Sequence, residues 1–311
     1  MKKITCAICN DSSSELIYNK GIFKRGEKLV KFNNVICKEC GLVYINPRKA
    51  PNDVMGFSKE NYVASCFALD TEEKIEEYMQ HVLEKNKGEN INLTFLSKFL
   101  KPEYNVLEIG SGFGLFLKDI KNSYGCKTKG IEPATSACYA IAKYGLDIYH
   151  GTFEEFYDKE RGAEKFDIIL MHHVFEHFSE PVQILKKIST FLNLNGFLYI
   201  EVPNILNFER RVRHFFDFWH YYNYSPATLS RVLKNGGFKI ISRNVKKPSR
   251  IQVIATRIES NILELNLENE NSYKEIKKYI RKRIISDSFY VIPAYTKKIL
   301  KFISQRILQK K

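Results

Sequence analysis

The chain has 311 residues, of which 44% are hydrophobic, 13% aromatic and 27% charged. These proportions suit a globular protein with a sizeable buried core, and they exclude a fibrous or fully disordered chain. No apolar run reaches the roughly 18 residues of a membrane-spanning helix. The first cysteine, Cys6, comes before any signal-type apolar stretch, so we expect a soluble, cytoplasmic protein.

The formal net charge of +14 is concentrated at one end of the chain. Residues 271–311 hold twelve Lys or Arg against Glu275 and Asp287, and therefore contribute ten of the fourteen charges. Strong positive charge often indicates a nucleic-acid partner, but here the body of the chain carries little of it. We therefore interpret the basicity as a property of a tail, which argues against nucleic acid as the main partner.

Four of the seven cysteines form two Cys-x-x-Cys pairs, Cys6 with Cys9 and Cys37 with Cys40. Each pair can direct two thiolates to one point, and two pairs complete a tetrahedral zinc site with no open position, which is typical of structural zinc. Alternating apolar stretches between the pairs predict a small zinc ribbon, which would need the metal to fold because its core is small. The alternative is a redox-active or disulfide-bonded set, which a cytosolic compartment disfavours.

The elements after the cysteines are first helical and then alternate between strand and helix. One amphipathic helix is predicted to begin near Asp70, and a second covers Asn92 to Leu100. The strands predicted next are Val106–Ile109, Lys129–Glu132, Leu146–Tyr149, Phe166–Met171, Gly196–Val202, Phe238–Val245 and Ile251–Thr256. Five β/α units followed by a strand pair predict an α/β fold with a doubly wound, mostly parallel seven-stranded sheet and an antiparallel edge.

A glycine-rich loop leaves the first strand of this predicted sheet and enters a helix. It reads Glu108-Ile-Gly110-Ser-Gly112-Phe-Gly114, and its glycines let the backbone turn tightly and let a ligand lie against it. Glu132 stands at the end of the next strand, where a carboxylate can accept hydrogen bonds from two ribose hydroxyls. The dinucleotide fingerprint is Gly-x-Gly-x-x-Gly, so the Gly-x-Gly-x-Gly spacing found here predicts no diphosphate cradle.

At this loop the chain resembles the class I S-adenosylmethionine-dependent methyltransferases, over about residues 100–257. The resemblance implies a Rossmann-like methyltransferase fold with S-adenosylmethionine as cofactor. It implies that Phe153, after the third strand, borders the adenine and that His172, after the fourth, lies beneath the methionine end. The cofactor-binding residues implied are Glu108, Gly110, Gly112, Gly114, Glu132, Phe153 and His172. The predicted domains are a zinc-ribbon module (1–50), a helical linker and cofactor-covering segment (51–101), a methyltransferase domain (102–258) and a basic helical tail (259–311).

Histidines follow the predicted strand ends, on the side of the sheet where ligands bind in doubly wound folds. An imidazole that is neutral near pH 7 can take a proton from a methyl acceptor, and we expect His220 or His177 to be this catalytic base. The alternative for each is a structural histidine. His173-x-x-Glu176-His177 also permits a divalent-ion site, but not a metalloprotease site, because the motif follows a buried strand instead of lying within a long helix.

The four-cysteine module makes the chain most similar to the zinc-ribbon-bearing C-methyltransferases of deoxysugar biosynthesis. The matching residues are Glu201-Val202-Pro203-Asn204 and His220, with the histidine implied as base, and Tyr62 resembles that group's tyrosine from the cofactor-covering segment. Trp219 stands where that group has a glutamate, and a short basic tail replaces its large C-terminal domain. The resemblance therefore favours a sugar or related polar metabolite as acceptor and leaves the methylated atom open.

The predicted function is methyl transfer to a small polar acceptor: a sugar, a sugar nucleotide or a related surface-polysaccharide or secondary-metabolite precursor. One alternative is an RNA methyltransferase with zinc-ribbon recognition, although the fourth strand lacks the Asn/Asp-Pro-Pro-aromatic motif of enzymes that methylate base amines. The other is a non-enzymatic docking scaffold. Helices predicted near 273–285 and 294–308 alternate basic and apolar residues, which suits an anionic inner-membrane surface, a partner protein or packing on the domain. No oligomeric state is indicated.

Overall fold

The computed structural model describes residues 2–25, 28–48, 73–74, 76–77, 81, 91–161, 163–259, 262–265 and 273–287. Tyr62 and the tail helix predicted at 294–308 lie outside the described residues. The described residues among 73–81 are helical, in agreement with the helix predicted to begin near Asp70.

Strands and helices alternate through most of the described chain. The strands are β1 (Ser14–Arg25), β2 (Lys28–Cys37), β3 (Val43–Ile45), β4 (Asn105–Ile109), β5 (Lys127–Glu132), β6 (Asp147–His150), β7 (Phe166–His172), β8 (Leu192–Pro203), β9 (Tyr222–Asn223), β10 (Phe238–Asn244) and β11 (Arg250–Arg257). The helices are α1 (Ile91–Leu96), α2 (Leu115–Tyr124), α3 (Ser136–Tyr144), α4 (Phe153–Glu160), α5 (Pro181–Phe191), α6 (Val212–Phe215), α7 (Pro226–Asn235) and α8 (273–287). Short 3-10 helices cover Ser97–Phe99 and Phe175–His177.

Seven strands form the main sheet, in the order β10-β11-β8-β7-β4-β5-β6. Strands β4 to β8 are mutually parallel, and β11 is antiparallel to both β8 and β10. This is the predicted doubly wound sheet with an antiparallel edge. The chain order reverses between β4 and β7, which places a ligand crevice at the carboxyl ends of these two strands.

Burial on both faces explains why the central strands are almost continuously apolar. Ile168, Ile169, Leu170 and Met171 in β7 are fully buried because helices cover both sides of the sheet. Full burial of one such side chain contributes about 1.5–3 kcal/mol. Pro226 occupies the first turn of α7, which follows a capping box between Ser225 and Thr228.

The cysteine-bearing strands form a second, four-stranded antiparallel sheet in the order β1-β2-β3-β9. Strand β9 comes from the segment after β8, and Tyr44 in β3 pairs with Tyr222 in β9. We predicted β1 and β2 as strands of a small ribbon but did not predict β9. The module of residues 2–48 (the cysteine module) is therefore joined to the segment after β8 by backbone hydrogen bonds.

The described part of the basic tail packs on the cysteine module. Ile276 and Ile280 in α8 are fully buried in a cluster with residues of β1, β2 and α6. On the same contact, Glu15 accepts hydrogen bonds from Tyr273 at 2.5 Å and from Lys277 at 2.5 Å. No helix among the described residues has both the length and the apolar character needed to cross a membrane.

Candidate active site

The glycine-rich loop between β4 and α2 adopts backbone angles that favour glycine. Gly110, Gly112 and Gly114 have φ values of 73°, 53° and 70°. A Cβ on Gly110 would lie 2.3 Å from Val174 Cγ2, and a Cβ on Gly114 would lie 2.4 Å from Leu146 Cδ1. A Cβ on Gly112 would meet no atom of the described residues within 4 Å. Two of the glycines are therefore needed for packing, whereas Gly112 faces space that a ligand can use.

Glu132 is held against this loop by two backbone hydrogen bonds. Its Oε2 accepts from Gly112 N at 2.8 Å, and its Oε1 accepts from Ala134 N at 2.8 Å. Burial raises the pKa of Glu132, and the two backbone N–H groups oppose that rise. The predicted ribose-binding acid and the predicted cofactor loop are thus brought together.

Two polar side chains of β4 and the loop are buried without hydrogen-bond partners among the described residues. Glu108 is 2% exposed, and its Oε2 has no hydrogen-bond partner. Ser111 is 8% exposed, and its Oγ has no partner either. Burial and the nearby Glu132 carboxylate raise the pKa of Glu108 well above its usual value. Unpartnered polar atoms beside an open glycine fit a ligand that supplies hydrogen-bonding groups, and an adenosyl cofactor has such hydroxyl and amino groups.

The other two predicted cofactor residues lie in different surroundings. Phe153 is buried in the core, where its ring centroid lies 6.5 Å from that of Phe178 and 6.2 Å from that of Phe191. His172 ends β7, and its ring lies 5.6 Å from Phe116 in α2, next to the glycine loop. The roles expected for Phe153 and His172 stay predictions.

Glu201 in β8 collects hydrogen bonds at the carboxyl end of the sheet. The side chain is 0% exposed. Its five partners are Arg250 Nη1 at 2.6 Å, Tyr199 Oη at 2.9 Å, His173 Nε2 at 3.0 Å, His172 Nε2 at 3.1 Å and Gln252 Nε2. Burial alone would raise the pKa of Glu201, but the bonds from the two histidines keep it well below its usual value. An ionised carboxylate at this position fixes the side chains around it.

His173 lies between two buried carboxylates. Its Nε2 is 3.0 Å from Glu201 Oε1, and its Nδ1 is 3.5 Å from Glu176 Oε1. The residue has a φ of 55°, which is unusual for a histidine and which aims the ring between the two acids. Burial alone would lower the pKa of His173, but Glu176 and Glu201 raise it to about 9. The two carboxylates therefore favour the protonated form of the ring.

The two predicted catalytic bases are neighbours, although 43 positions separate them in the sequence. The rings of His177 and His220 are 5.1 Å apart, and Glu176 offers a carboxylate oxygen within 4.8 Å of a nitrogen on each. His177 Nδ1 lies 2.8 Å from the carbonyl oxygen of Trp219. Because a carbonyl only accepts, Nδ1 carries the proton and Nε2 is the basic nitrogen of the neutral ring.

Charge around this pair favours a neutral His220 beside an ionised Glu176. Burial and His177 lower the pKa of His220 to about 4. Burial would raise the pKa of Glu176, but His173 and the two other histidines lower it to about 2. The atoms of Glu176, His177 and His220, and separately those of His172, His173 and Glu201, are close enough to hold a metal ion. The divalent-ion alternative therefore stays open.

The four predicted metal ligands converge at one end of the cysteine module. Cys6 Sγ lies 3.4 Å from Cys40 Sγ, Cys9 Sγ lies 3.5 Å from Cys37 Sγ, and none is in a disulfide. The sulfurs of a tetrahedral site with Zn–S bonds of about 2.3 Å lie about 3.8 Å apart, so this donor set fits zinc. Contact with Cys37 raises the pKa of Cys6 to about 12, and a bound cation would favour the thiolate form of such a group.

The profile of a family described as a methyltransferase domain matches residues 75–243, more than half of the chain. The chain belongs to the methyltransferase-domain family. The matched residues include the glycine loop, Glu132, His172 and both candidate bases. In the structure these residues lie on the side of the sheet where the parallel strands end. Membership of this family agrees with the mostly parallel seven-stranded sheet described above.

Individual relatives match only parts of the chain. The ubiquinone biosynthesis O-methyltransferase of Histophilus somni (strain 2336) is 32% identical over 110 residues, which are 33% of this chain and 46% of that protein. The chain thus spans about half the length of the curated relatives it matches. A solved S-adenosylmethionine-dependent methyltransferase from Aquifex aeolicus is 19% identical, with a TM-score of 0.42, and the match covers 57% of this chain and 96% of that one. A putative S-adenosylmethionine-dependent methyltransferase of known structure from Listeria monocytogenes is 17% identical, with a TM-score of 0.43. That match covers 54% of this chain and 98% of that one.

The sequence analysis did not predict that Glu201 would bind several side chains at once, or that Arg250 would be one of them. Glu201 interrupts the apolar run of β8, and a lone charge in a buried strand is a signal that a polar network must satisfy it. Arg250 starts the antiparallel strand β11, and its register opposite Pro203 depends on sheet pairing. No local pattern indicates that partner.

Proposed function

We propose that this protein transfers a methyl group from S-adenosylmethionine to a small polar acceptor, a sugar, sugar nucleotide or related precursor. The observation that carries the proposal is the direct contact between the glycine loop and the histidine segment. Val174 follows His172 and His173 and packs against Gly110, so the proposed cofactor loop and the histidine segment are in contact. Strand register supports this placement, because Ile109 is level with Met171, and His172 is level with Glu201.

When bound, S-adenosylmethionine supplies a methyl group that its sulfonium makes electrophilic. Glu132 would accept hydrogen bonds from the ribose hydroxyls, and the Gly112 backbone would lie against the cofactor because no Cβ blocks it. Glu108 would take a donor of the cofactor on its unpartnered oxygen. His172, fixed by Glu201, would border the methionine end.

The chain's own task is then to position the acceptor and to remove a proton from it. His177 would take the proton at Nε2, or His220 would take it as the neutral base of the pair. The ionised Glu176 lies beside both rings and would stabilise the imidazolium that forms. Methyl transfer to a hydroxyl requires this proton removal because a neutral hydroxyl is a poor nucleophile.

The acceptor side is polar rather than apolar, which supports a hydroxyl-rich acceptor. The imidazoles, carboxylates and guanidinium at the ends of β7, β8 and β11 supply both donors and acceptors. A sugar presents hydroxyls that can use both kinds of group. The Histophilus relative is named for O-methylation, so a phenolic hydroxyl is the second acceptor class to test.

We also propose that the four cysteines bind one structural zinc ion. The supporting observations are the converging sulfurs and the absence of disulfides among them.

On α8, Lys274, Lys278 and Lys282 are exposed at successive four-residue intervals. This spacing would suit anionic lipid head groups, and binding to phosphatidylglycerol vesicles but not to phosphatidylcholine vesicles tests it.

Calorimetry with S-adenosylmethionine, followed by radiolabelled methyl transfer to sugar nucleotides and to catechols, tests the proposal. Saturable cofactor binding with transfer to the sugar nucleotides supports it. Transfer to catechols alone would mean that the acceptor is a phenolic hydroxyl and not a sugar. Failure to bind the cofactor contradicts the proposal and favours the docking-scaffold alternative, and transfer to RNA favours the RNA alternative.

A further inference from the structure

Arg48 is a buried cation that joins the cysteine module to two other segments. The residue is 7% exposed. Its Nη1 donates to Tyr222 Oη at 2.9 Å, and its Nη2 donates to Ser179 O at 3.0 Å and to Glu180 Oε1 at 3.0 Å. These three partners, all among the described residues, lie outside the cysteine module at sequence distances of 131 to 174 residues.

Two partners of this guanidinium, the Ser179 carbonyl and the Tyr222 hydroxyl, adjoin the candidate bases. Ser179 comes two residues after His177, and Tyr222 comes two residues after His220. Tyr222 Oη also donates to Ser179 O at 2.9 Å, so Arg48, Tyr222 and Ser179 form a closed triangle. At the other end of the same segments, Trp219 O accepts from His177 Nδ1. The two histidine segments are therefore linked twice, by His177 Nδ1 with Trp219 O and by Tyr222 Oη with Ser179 O.

Arg48 is in turn fixed by the cysteine module. Its backbone exchanges hydrogen bonds with Lys2, at 3.0 Å from Arg48 N to Lys2 O and at 2.7 Å from Lys2 N to Arg48 O. It follows β3, whose pairing with β9 begins three residues after Cys40. Its guanidinium carbon lies 5.1 Å from the Tyr221 ring centroid and 5.7 Å from that of Tyr222. Because the planar guanidinium is held at these points, the segments that accept hydrogen bonds from it have little freedom to move.

We propose that Arg48 is a positioning residue for methyl transfer, which holds the His177 and His220 segments at a fixed separation on the cysteine module. The inference rests on the proposed function, since it assigns a consequence to the spacing of the candidate bases. The two parts of the site are positioned by different contacts. Contacts of β4, β5 and Val174 position the cofactor loop, whereas the spacing of the histidines depends on Arg48.

The test compares Arg48→Met, Arg48→Lys and Tyr222→Phe with the parent protein. The control matched to Arg48→Lys is Arg231→Lys, because Arg231 Nη1 donates to Cys40 O at 2.8 Å and so joins the same module to α7 instead of to a histidine segment. We expect Arg48→Met to lower kcat by about 10- to 100-fold, since small misplacements of catalytic groups have effects of this size. Affinity for S-adenosylmethionine should stay within about twofold, and zinc content should not change.

The conservative variants separate positioning from general stability. Arg48→Lys keeps the charge but not the fork, so we expect it to recover part of the kcat that Arg48→Met loses. Tyr222→Phe removes only the hydroxyl and tests the same triangle if Arg48→Met does not fold. Amide hydrogen exchange should rise at 175–179 and 219–224 in these variants and stay unchanged at 108–114.

Three results would overturn the inference. The first is an unchanged kcat in folded Arg48→Met that retains zinc, and the second is an equal loss of kcat in Arg231→Lys. The third is exchange that rises evenly over the chain. If the parent protein transfers no methyl group, the proposed function fails while hydrogen exchange and cofactor affinity still report whether Arg48 fixes the two segments.

Discussion

The backbone N–H of Gly112 donates a 2.8 Å hydrogen bond to Oε2 of Glu132, between the ends of two adjacent parallel strands. The carboxylate predicted to bind ribose is therefore held against the glycine loop by the backbone of the loop itself. Such preorganisation lowers the cost of ordering the site on binding.

Substitution of Glu132 by Ala should weaken S-adenosylmethionine binding about 10- to 100-fold, because hydrogen bonds to a charged acceptor contribute about 1.5–3 kcal/mol. Isothermal titration calorimetry measures the change. The control is Glu164→Ala, which removes a partner of Lys129 on the same strand but leaves the loop end intact. Equal affinities in parent and Glu132→Ala would remove Glu132 from the cofactor site.

Gly112 and Gly145 offer a matched pair of substitutions by Ala. Both have positive φ, and at both a Cβ would meet no described atom within 4 Å, so we expect both variants to lose a similar amount of stability, about 1 kcal/mol. Only the Cβ on Gly112 would enter the space assigned to the cofactor. Cofactor affinity should fall in Gly112→Ala and not in Gly145→Ala, and a parallel fall in both would refute this assignment.

Replacement of a catalytic base should lower kcat while cofactor affinity persists. We expect His220→Asn or His177→Asn to reduce kcat by about 10²- to 10⁴-fold, which is the usual contribution of general base catalysis. The control is His214→Asn, since His214 is exposed on α6. Methyl-transfer rates at saturating cofactor decide between the two histidines, and rates unaffected by either change would make both of them structural.

The purified protein should contain one zinc ion for each chain, measured by native mass spectrometry and elemental analysis. Cys9→Ser should release the ion and lower the unfolding temperature, because binding of structural zinc contributes directly to folding. Cys138→Ser is the control, since Cys138 is an exposed thiol outside the cluster. A zinc-free parent protein that melts at the same temperature with and without chelator would exclude a structural metal.

His173 should make stability depend on alkaline pH. Its pKa is raised to about 9 in the folded state by Glu176 and Glu201, whereas an unfolded histidine has a pKa of about 6.5. Its stabilising effect is therefore fully present below about pH 6.5 and is lost as the pH rises through about 9. Urea unfolding of the parent and of His173→Gln between pH 6 and 10 should show a stability difference that shrinks with pH. A constant difference would mean that His173 is not charged in the folded state.

The sequence by itself determined the α/β class, the seven-stranded sheet, the glycine turn and the grouping of the cysteines. These features are encoded locally. Apolar runs of strand length mark buried strands, glycines mark positive φ, and two Cys-x-x-Cys pairs mark a tetrahedral donor set. The strand register then follows because each buried face permits only one alignment. The pattern assigns the glycine loop and Glu132 to one cofactor, and the structure brings Gly112 and Glu132 into contact.

Only the tertiary structure decided how the acceptor side is assembled. Arg48 meets Tyr222 across 174 residues, and Glu201 meets Arg250 across 49. Likewise, β9 completes the sheet of the cysteine module although its two residues carry no strand pattern of their own. Periodicity records which face of an element is buried, but not which distant polar group will satisfy a buried charge. That choice depends on the packing of the whole chain, since hydrogen-bond partners of buried groups are fixed only when the surrounding elements are in place.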